Sequence, residues 1–416
     1  MRMGEIALLH LVLTRACNLR CRYCYQRGAP SGRMAWETLR CALDWALRAG
    51  RPGLEVVFSG GEPLLELPLI RRAVAYADAR RAPERPLQYG LLTNGILLDD
   101  RAIEFLASHD FDLQLSFDGI LPVQELRAPG TFAVLDARLE RLRTGWPDFA
   151  REHLTAGMTV TPAAVSRLAD SVEYLLDRGV PRIALTPVLG SPGEEAVPDR
   201  VLESQFDEIE RLSRARFARD GEVPLLFLRG DVAPASPPPE CGPLCGAAHA
   251  LQPAVDADGR VYACALLVEP MLAAAAPWLR AEARRLCFGE IFDPAFEVGW
   301  GPCVTRASQA PLLTARERRH SGPARCDACS WAGSCGVCPV AAGLLERNDD
   351  ANRIPDFLCA FARAALRARQ RFADAVGGPA RREVEPDGMT RFLGLSELPP
   401  ALRRVKAFGD AARRGV

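Results

Sequence analysis

Cys17, Cys21 and Cys24 stand in the run Cys17-Asn18-Leu19-Arg20-Cys21-Arg22-Tyr23-Cys24, a CxxxCxxC spacing with an aromatic residue just before the last cysteine. Three thiolates on so short a loop can each bind one iron of a [4Fe–4S] cube. The fourth iron is then left without a protein ligand and is open to a substrate or cofactor, whereas electron-carrier clusters are closed by four cysteines. A zinc knuckle and a set of unrelated buried cysteines are the other readings. Structural zinc asks for four ligands, and no fourth cysteine or histidine sits close by.

A second cysteine field lies far downstream. Cys326-Asp327-Ala328-Cys329 is followed by Cys335 and Cys338, giving CxxCxxxxxCxxC, and then by Cys359; upstream of it come Cys241, Cys245 and Cys264. A zinc ribbon built from CxxC pairs is as plausible as iron–sulfur for this field taken alone. The chain has 14 cysteines, is long, carries no export signal and gathers its thiols into clusters. That pattern points to metal rather than to disulfides. Soft thiolates side by side suit iron–sulfur clusters or zinc.

The elements that must position these loops alternate. Strand-like runs at Ile6–Leu13, Leu54–Phe58, Leu87–Leu92, Phe111–Phe117, His153–Val160 and Ile183–Val188 each precede a segment of helical apolar spacing. Those segments are Ala35–Ala49, Leu69–Arg80, Arg101–Ser108, Phe132–Arg143, Ala163–Arg178 and Val201–Ala218. Such alternation predicts an α/β fold with a parallel sheet covered by helices. Six units fall short of the eight of a closed barrel and predict an open, partial (β/α)6 barrel. The first cysteine loop follows the first strand, where barrels mount their chemistry.

The rhythm stops near Arg229. Gly230–Glu240 is rich in proline and small residues and reads as a linker. Leu251–Cys264 then reads as a β-hairpin with its turn at Asp256–Gly259. The stretch 271–325 gives no clear topology, and the chain beyond Gln370 turns charged and reads as a tail. The expected division is a barrel over 1–228, a cysteine-rich domain over 229–370 and a tail over 371–416.

Composition removes several functions. The chain has 416 residues, 48% of them hydrophobic, with 52 basic and 52 acidic side chains. A net charge of zero argues against a broad grip on nucleic acid. The apolar N-terminal stretch is short, contains His10 and lacks a small-residue cleavage site, so it does not read as a signal peptide. No run approaches the roughly 20 apolar residues that span a bilayer. A cytoplasmic protein with no nucleic-acid or membrane partner is expected.

The first loop and the segments after it resemble the radical S-adenosylmethionine (SAM) superfamily. Ser59-Gly60-Gly61-Glu62-Pro63, after the second strand, matches that family's GGEP motif. Leu92-Thr93-Asn94-Gly95 and Ser116-Phe117-Asp118-Gly119, after the third and fourth, match further motifs lining its cofactor site. The resemblance implies a [4Fe–4S] cluster on Cys17, Cys21 and Cys24 that binds the amino and carboxylate groups of SAM. The family then releases a 5′-deoxyadenosyl radical, which takes a hydrogen atom from the substrate. It also implies a cofactor cradle of Tyr23, Gly60, Gly61, Glu62, Thr93 and Ser116, with Glu62 accepting from the cofactor's amino group. Arg127 is the positional match for an arginine near the methionine carboxylate; a solvated surface arginine is the alternative, since arginines are mostly exposed.

The downstream field resembles the SPASM domain, an extension with two auxiliary [4Fe–4S] clusters in some members of that family. By position, Cys241, Cys245, Cys264 and Cys338 would hold the first, and Cys326, Cys329, Cys335 and Cys359 the second. The family commonly places three residues between the cysteines matching Cys335 and Cys338, but only Gly336 and Val337 intervene here. Cys41, Cys287 and Cys303 remain: Cys41 sits in a helical pattern, and the other two are spare or substitute ligands. Proteins of this kind mostly modify peptides or proteins, with a flavodoxin- or ferredoxin-type reductant. The sulfatase-maturing branch has an aspartate after the hairpin cysteine, where this chain has Ala265, which disfavours that branch. The resemblance thus implies a maturase that modifies a ribosomally made precursor peptide, by a carbon–carbon or thioether cross-link. Any precursor-recognition domain would be a separate protein. Maturation of a partner enzyme subunit, and an iron–sulfur electron-transfer protein without radical chemistry, are the alternatives; the general base is not identifiable from the sequence.

Overall fold

The computed structural model describes residues 6–189, 197–229, 246–296, 300–314, 319–321, 324–332, 334–344 and 348–376. The Pro-rich linker, Cys241 and Cys245 lie outside the described residues.

The first strand, β1 (Ile6–Thr14), is apolar on both faces and almost wholly buried, as a central strand of a parallel sheet must be. Its odd positions, Leu9, Leu11 and Leu13, join the core under the helices. Beside it lie β2 (Gly50–Gly60), β3 (Gln88–Thr93), β4 (Asp112–Ser116), β5 (Leu154–Val160) and β6 (Ile183–Pro187), all parallel and paired in chain order. Helices return the chain between them. Helix Trp36–Ala49 buries Leu39, Ala42, Leu43 and Ala46, one face at helical spacing. Helix Asp100–Ser108 starts at Asp99, whose Oδ1 accepts from Ala102 N at 2.8 Å. The open six-stranded α/β barrel expected from the alternation is the observed one.

The hairpin is also present, and it does more than the sequence implied. Strand β7 (Ala254–Val255) pairs parallel with β1, and β8 (Arg260–Tyr262) and β9 (Cys287–Glu290) follow antiparallel. The sheet therefore has nine strands, ordered β6-β5-β4-β3-β2-β1-β7-β8-β9. At the hairpin turn Asp256 Oδ1 accepts from Asp258 N (2.9 Å) and Arg260 N (3.0 Å). Gly259 turns there at φ +88°, and a Cβ on it would sit 2.9 Å from the Phe292 ring. Arg15, just past β1, donates to Asp258 Oδ2 at 3.0 Å, which ties the first cysteine loop to the hairpin.

Local patterning failed in three places. Residues Ala163–Arg178 divide into a 3-10 turn Pro162–Arg167 and a helix Leu168–Asp177. The stretch after residue 271 contains helix Pro277–Arg285, β9 and helix Trp300–Ser308. Trp300 and Phe296 pack edge-on against Trp45 of the first helix, 5.0 and 5.1 Å between ring centres. That order comes from long-range aromatic contact rather than from local periodicity. The final helix spans Asp356–Ala375 and so runs past residue 370. Its Arg363, Arg367 and Arg371 pair with Asp199, Glu203 and Asp207 of helix Asp199–Asp220. The charged run that read as a tail is thus, up to Ala375, one face of a helix whose partners lie 164 residues away.

Candidate functional site

A cavity of about 850 Å³ opens at the carboxyl ends of the barrel strands, a volume suited to a small-molecule cofactor together with part of a substrate. Each strand delivers something to its wall: Cys17, Cys21, Tyr23 and Cys24 after β1, Gly60 and Gly61 at the end of β2, and Thr93 and Asn94 at the end of β3. Ser116 ends β4 and also faces the cavity. The hairpin and the second cysteine field add Cys264, Ala265 and Cys338 to the same lining.

The first cysteine loop is held against the Gly60–Gly61 turn by backbone. Gly61 N donates to Thr14 O (2.8 Å) and Glu62 N to Ala16 O (2.9 Å). A Cβ at Gly61 would lie 2.2 Å from Ala16 O, and Gly60 sits at φ +143°, so only glycine permits this approach. Asn94 Nδ2 bridges from β3, donating to Asn18 Oδ1 (2.8 Å) and to Cys17 Sγ (3.6 Å). Leu19 N also donates to that sulfur, at 3.4 Å.

Such donors suit a thiolate ligand. Burial raises the pKa of Cys17, Cys21 and Cys24, and the neighbouring thiols reinforce the shift; metal binding must therefore displace these protons. Among the described residues no three side chains stand at the spacing of a single bound ion. Three thiols on one short loop, with Leu19 N and Asn94 Nδ2 donating to Cys17, are the side chains that would hold three irons of a [4Fe–4S] cluster.

Glu62 is placed differently from the sequence expectation of a cofactor-facing carboxylate. It is fully buried. Oε1 accepts from Leu64 N (2.9 Å) and Thr93 Oγ1 (2.7 Å), and Oε2 from Asn94 N (2.8 Å). Burial raises its pKa, and the three donors oppose that. In this geometry the carboxylate fastens the β2 and β3 loops to each other, while Gly60 and Gly61 face the cavity. Glu62→Gln puts an NH2 where an acceptor is needed, so it is expected to lower the stability of the metal-free protein by about 1–3 kcal/mol. Urea unfolding measures this; an unchanged midpoint would remove the fastening role. Thr93 is engaged likewise: besides donating to Glu62, its hydroxyl accepts from Gly95 N at 3.0 Å.

Arg127 is not a solvated surface arginine. It is buried, and its Nε and Nη2 donate to Asp118 Oδ2 (2.9 Å) and Oδ1 (2.7 Å) in a fork. Tyr23 Oη donates to the same carboxylate at 2.6 Å, and Thr159 N at 2.8 Å. Burial works against the charge of Arg127, but Asp118 and Tyr23 outweigh it and raise its pKa. Asp118 is the residue that sequence reasoning passed over. Its signal was present in the Ser116–Gly119 motif, which matched as part of the cofactor site without a role for the aspartate.

In the second field Cys326, Cys329, Cys335 and Cys359 lie close enough for their charges to interact. Burial and then the thiols of Cys335, Cys359 and Cys329 push Cys326 up to about 11. Cys359 comes from the first turn of helix Asp356–Ala375. Cys264 and Cys338 share the cavity wall, and Tyr25 feels the thiols of both Cys24 and Cys264. Cys303 is buried with its sulfur 3.4 Å from Phe288 O, and Cys41 is half-buried in the first helix.

Residues 11–196 match the radical SAM superfamily. An uncharacterised protein, MJ0907 of Methanocaldococcus jannaschii, is 30% identical over 182 residues, 42% of this chain and 61% of that protein. The chain spans 61% or less of the length of the first curated relatives it matches, sulfatase-maturating enzymes being among them. The solved structure of native anSMEcpe with bound AdoMet and Kp18Cys peptide superposes with a TM-score of 0.69 at 17% identity, covering 90% of this chain and 99% of that one. Streptococcus suis SuiB bound to its precursor peptide SuiA gives 0.53 at 12%, covering 84% and 76%.

Proposed function

We propose that this chain, whose residues 11–196 match the radical SAM superfamily, is a maturase that abstracts a hydrogen atom from a precursor peptide and installs a cross-link. The observation that carries the reading is one cavity lined by the three-cysteine loop and the Gly60–Gly61 turn together with Cys264 and Cys338. Cys17, Cys21 and Cys24 would hold a [4Fe–4S] cluster, and Tyr23, Gly60, Gly61, Thr93, Ser116 and Arg127 would surround SAM. Together these groups supply a carbon-centred radical when bound.

The chain's own residues do the rest. Asp118 fixes Arg127 and Tyr23 at one end of the cavity. Asn94 and Leu19 donate to Cys17 and so favour its thiolate. A peptide substrate is supported by the peptides bound in the anSMEcpe and SuiB structures, and Ala265 in place of an aspartate sets this chain apart from the sulfatase-maturing pattern. The reading includes the division 1–228, 229–370 and 371–416, with the last helix running across the final boundary. It also includes a low-potential flavodoxin or ferredoxin as reductant, a separate precursor-recognition protein and a cytoplasmic setting. No helix among the described residues is long and apolar enough to cross a membrane.

The direct test is whether the reduced, iron-reconstituted protein forms 5′-deoxyadenosine from SAM; none formed would refute the radical reading. The auxiliary field carries its own prediction. Two further cubes, on Cys241, Cys245, Cys264 and Cys338 and on Cys326, Cys329, Cys335 and Cys359, would bring the total to about twelve irons. Cys359→Ala should remove or convert the second while SAM cleavage survives. Elemental analysis and Mössbauer spectroscopy read the outcome, and two tightly bound zincs with about four irons would replace the auxiliary clusters by a zinc ribbon.

A further inference from the structure

The cavity has an unusual inventory of ionisable groups. Among the described residues no aspartate or glutamate lines it; its ionisable side chains are five arginines, five cysteines, two tyrosines and His10. An oxidative cross-link releases a proton as well as a hydrogen atom, and something must receive it.

The candidates fall one by one. Arginine does not deprotonate in proteins and has no acceptor. Three cysteines are in the proposed radical set, and Cys264 and Cys338 are in the proposed auxiliary set. Tyr23 already donates to Asp118, and burial pushes the Tyr25 phenol up to about 12, so at neutral pH both carry their protons. His10 remains.

Its placement is not that of a structural histidine. His10 is the one polar side chain in the middle of β1 and is 4% exposed. It lies opposite Ala254 of β7 and Val57 of β2. Nδ1 is sealed and has no partner, and no hydrogen bond joins the ring to a described residue. A buried polar atom without a partner costs stability, and here the fold gains no hydrogen bond in return. The ring lines the cavity, so Nε2 is the nitrogen presented to its contents. Burial lowers the pKa of His10 to about 4, which leaves the ring neutral, with a free lone pair, at neutral pH.

We propose that His10 is the proton acceptor of the peptide oxidation, taking at Nε2 the proton released as the cross-link closes. This rests on the peptide-maturase reading above. One hydrogen leaves a peptide carbon as an atom. The new bond forms from that carbon to an X–H group of the same peptide. The X–H hydrogen leaves as a proton to His10, and one electron leaves to an acceptor of the iron–sulfur class. The peptide loses two hydrogens in all.

The test uses the full chain, reconstituted with iron and sulfide, and a pool of synthetic peptides containing cysteine, serine and aromatic residues. Mass spectrometry counts peptide that has lost two hydrogens against 5′-deoxyadenosine formed. His10→Gln keeps a hydrogen-bonding group of similar reach without its basicity. It should lower that ratio about 10²-fold, and the stalled peptide should take up solvent deuterium instead. His10→Gly should regain product when free imidazole is added. In the metal-free protein, the nitrogen-15 signals that His10→Gln removes should be those of a neutral ring at neutral pH. An unchanged ratio in His10→Gln, or a protonated ring, overturns the role of His10 alone. Wild-type protein that cleaves SAM yet alters no peptide overturns the maturase reading, and this proposal with it.

Discussion

Replacing Cys17, Cys21 and Cys24 together by alanine is expected to remove about four irons from the reconstituted protein and to abolish 5′-deoxyadenosine formation. Both effects follow from one loop. The three thiols are adjacent, half-exposed or exposed on the cavity wall, and Cys17 receives Leu19 N and Asn94 Nδ2 as donors. The other two cysteines of the described cavity wall, Cys264 and Cys338, come from after the hairpin and from the second cysteine field rather than from this loop. Iron bound elsewhere should stay, because the second field is held by the hairpin and the last helix rather than by this loop. Iron content and product formation are measured on the same preparation. SAM cleavage that survives the triple substitution would sink the assignment of the radical cluster, whatever the iron count.

The second large effect is on stability. Asp118→Ala is expected to destabilise the metal-free protein by about 3–5 kcal/mol, the usual result of removing one partner from a buried ion pair. Asp118 is 1% exposed and Arg127 7%. Without the carboxylate, the guanidinium is left charged in the interior, and Tyr23 Oη and Thr159 N lose their acceptor as well. Asp118→Asn keeps one carbonyl acceptor and should fall between the alanine variant and wild type. Double substitution Asp118→Ala with Arg127→Met removes the stranded charge and should recover part of the loss. Urea unfolding of the four proteins gives the comparison. A loss below about 1 kcal/mol for Asp118→Ala, the size of an exposed pair, would mean that water reaches the site and that the fork with Arg127 is not the anchor described here.

These effects separate what the chain announces from what folding assembles. The three-cysteine spacing, the glycine pair and the six strand–helix units were legible because each is written in adjacent residues. A thiol triad must share a short loop to share a cluster, and a parallel strand must be apolar along its length, as β1 is. The sequence therefore determined the fold class, the first cysteine cluster and the hairpin around Gly259. It did not show that the hairpin would pair with β1 and lengthen the barrel sheet to nine strands, because the two paired residues, Ala254 and Val255, do not mark which distant strand they meet.

Tertiary structure alone decided the rest, for the same physical reason: the partner is distant in sequence. Asp118 reads as one letter of a cofactor-site motif until Arg127, Tyr23 and Thr159 are seen to converge on it. Glu62 reads as a ligand for the cofactor until Thr93 and Asn94 arrive from the next loop and occupy both its oxygens. His10 reads as an interruption of an apolar strand until the cavity is seen to be lined by no carboxylate among the described residues. The charged residues from Arg363 to Arg371 read in part as a tail until the helix Asp199–Asp220 supplies three acids at matching spacing. Local pattern fixes which face of an element is apolar; which polar group meets which depends on how those faces are stacked.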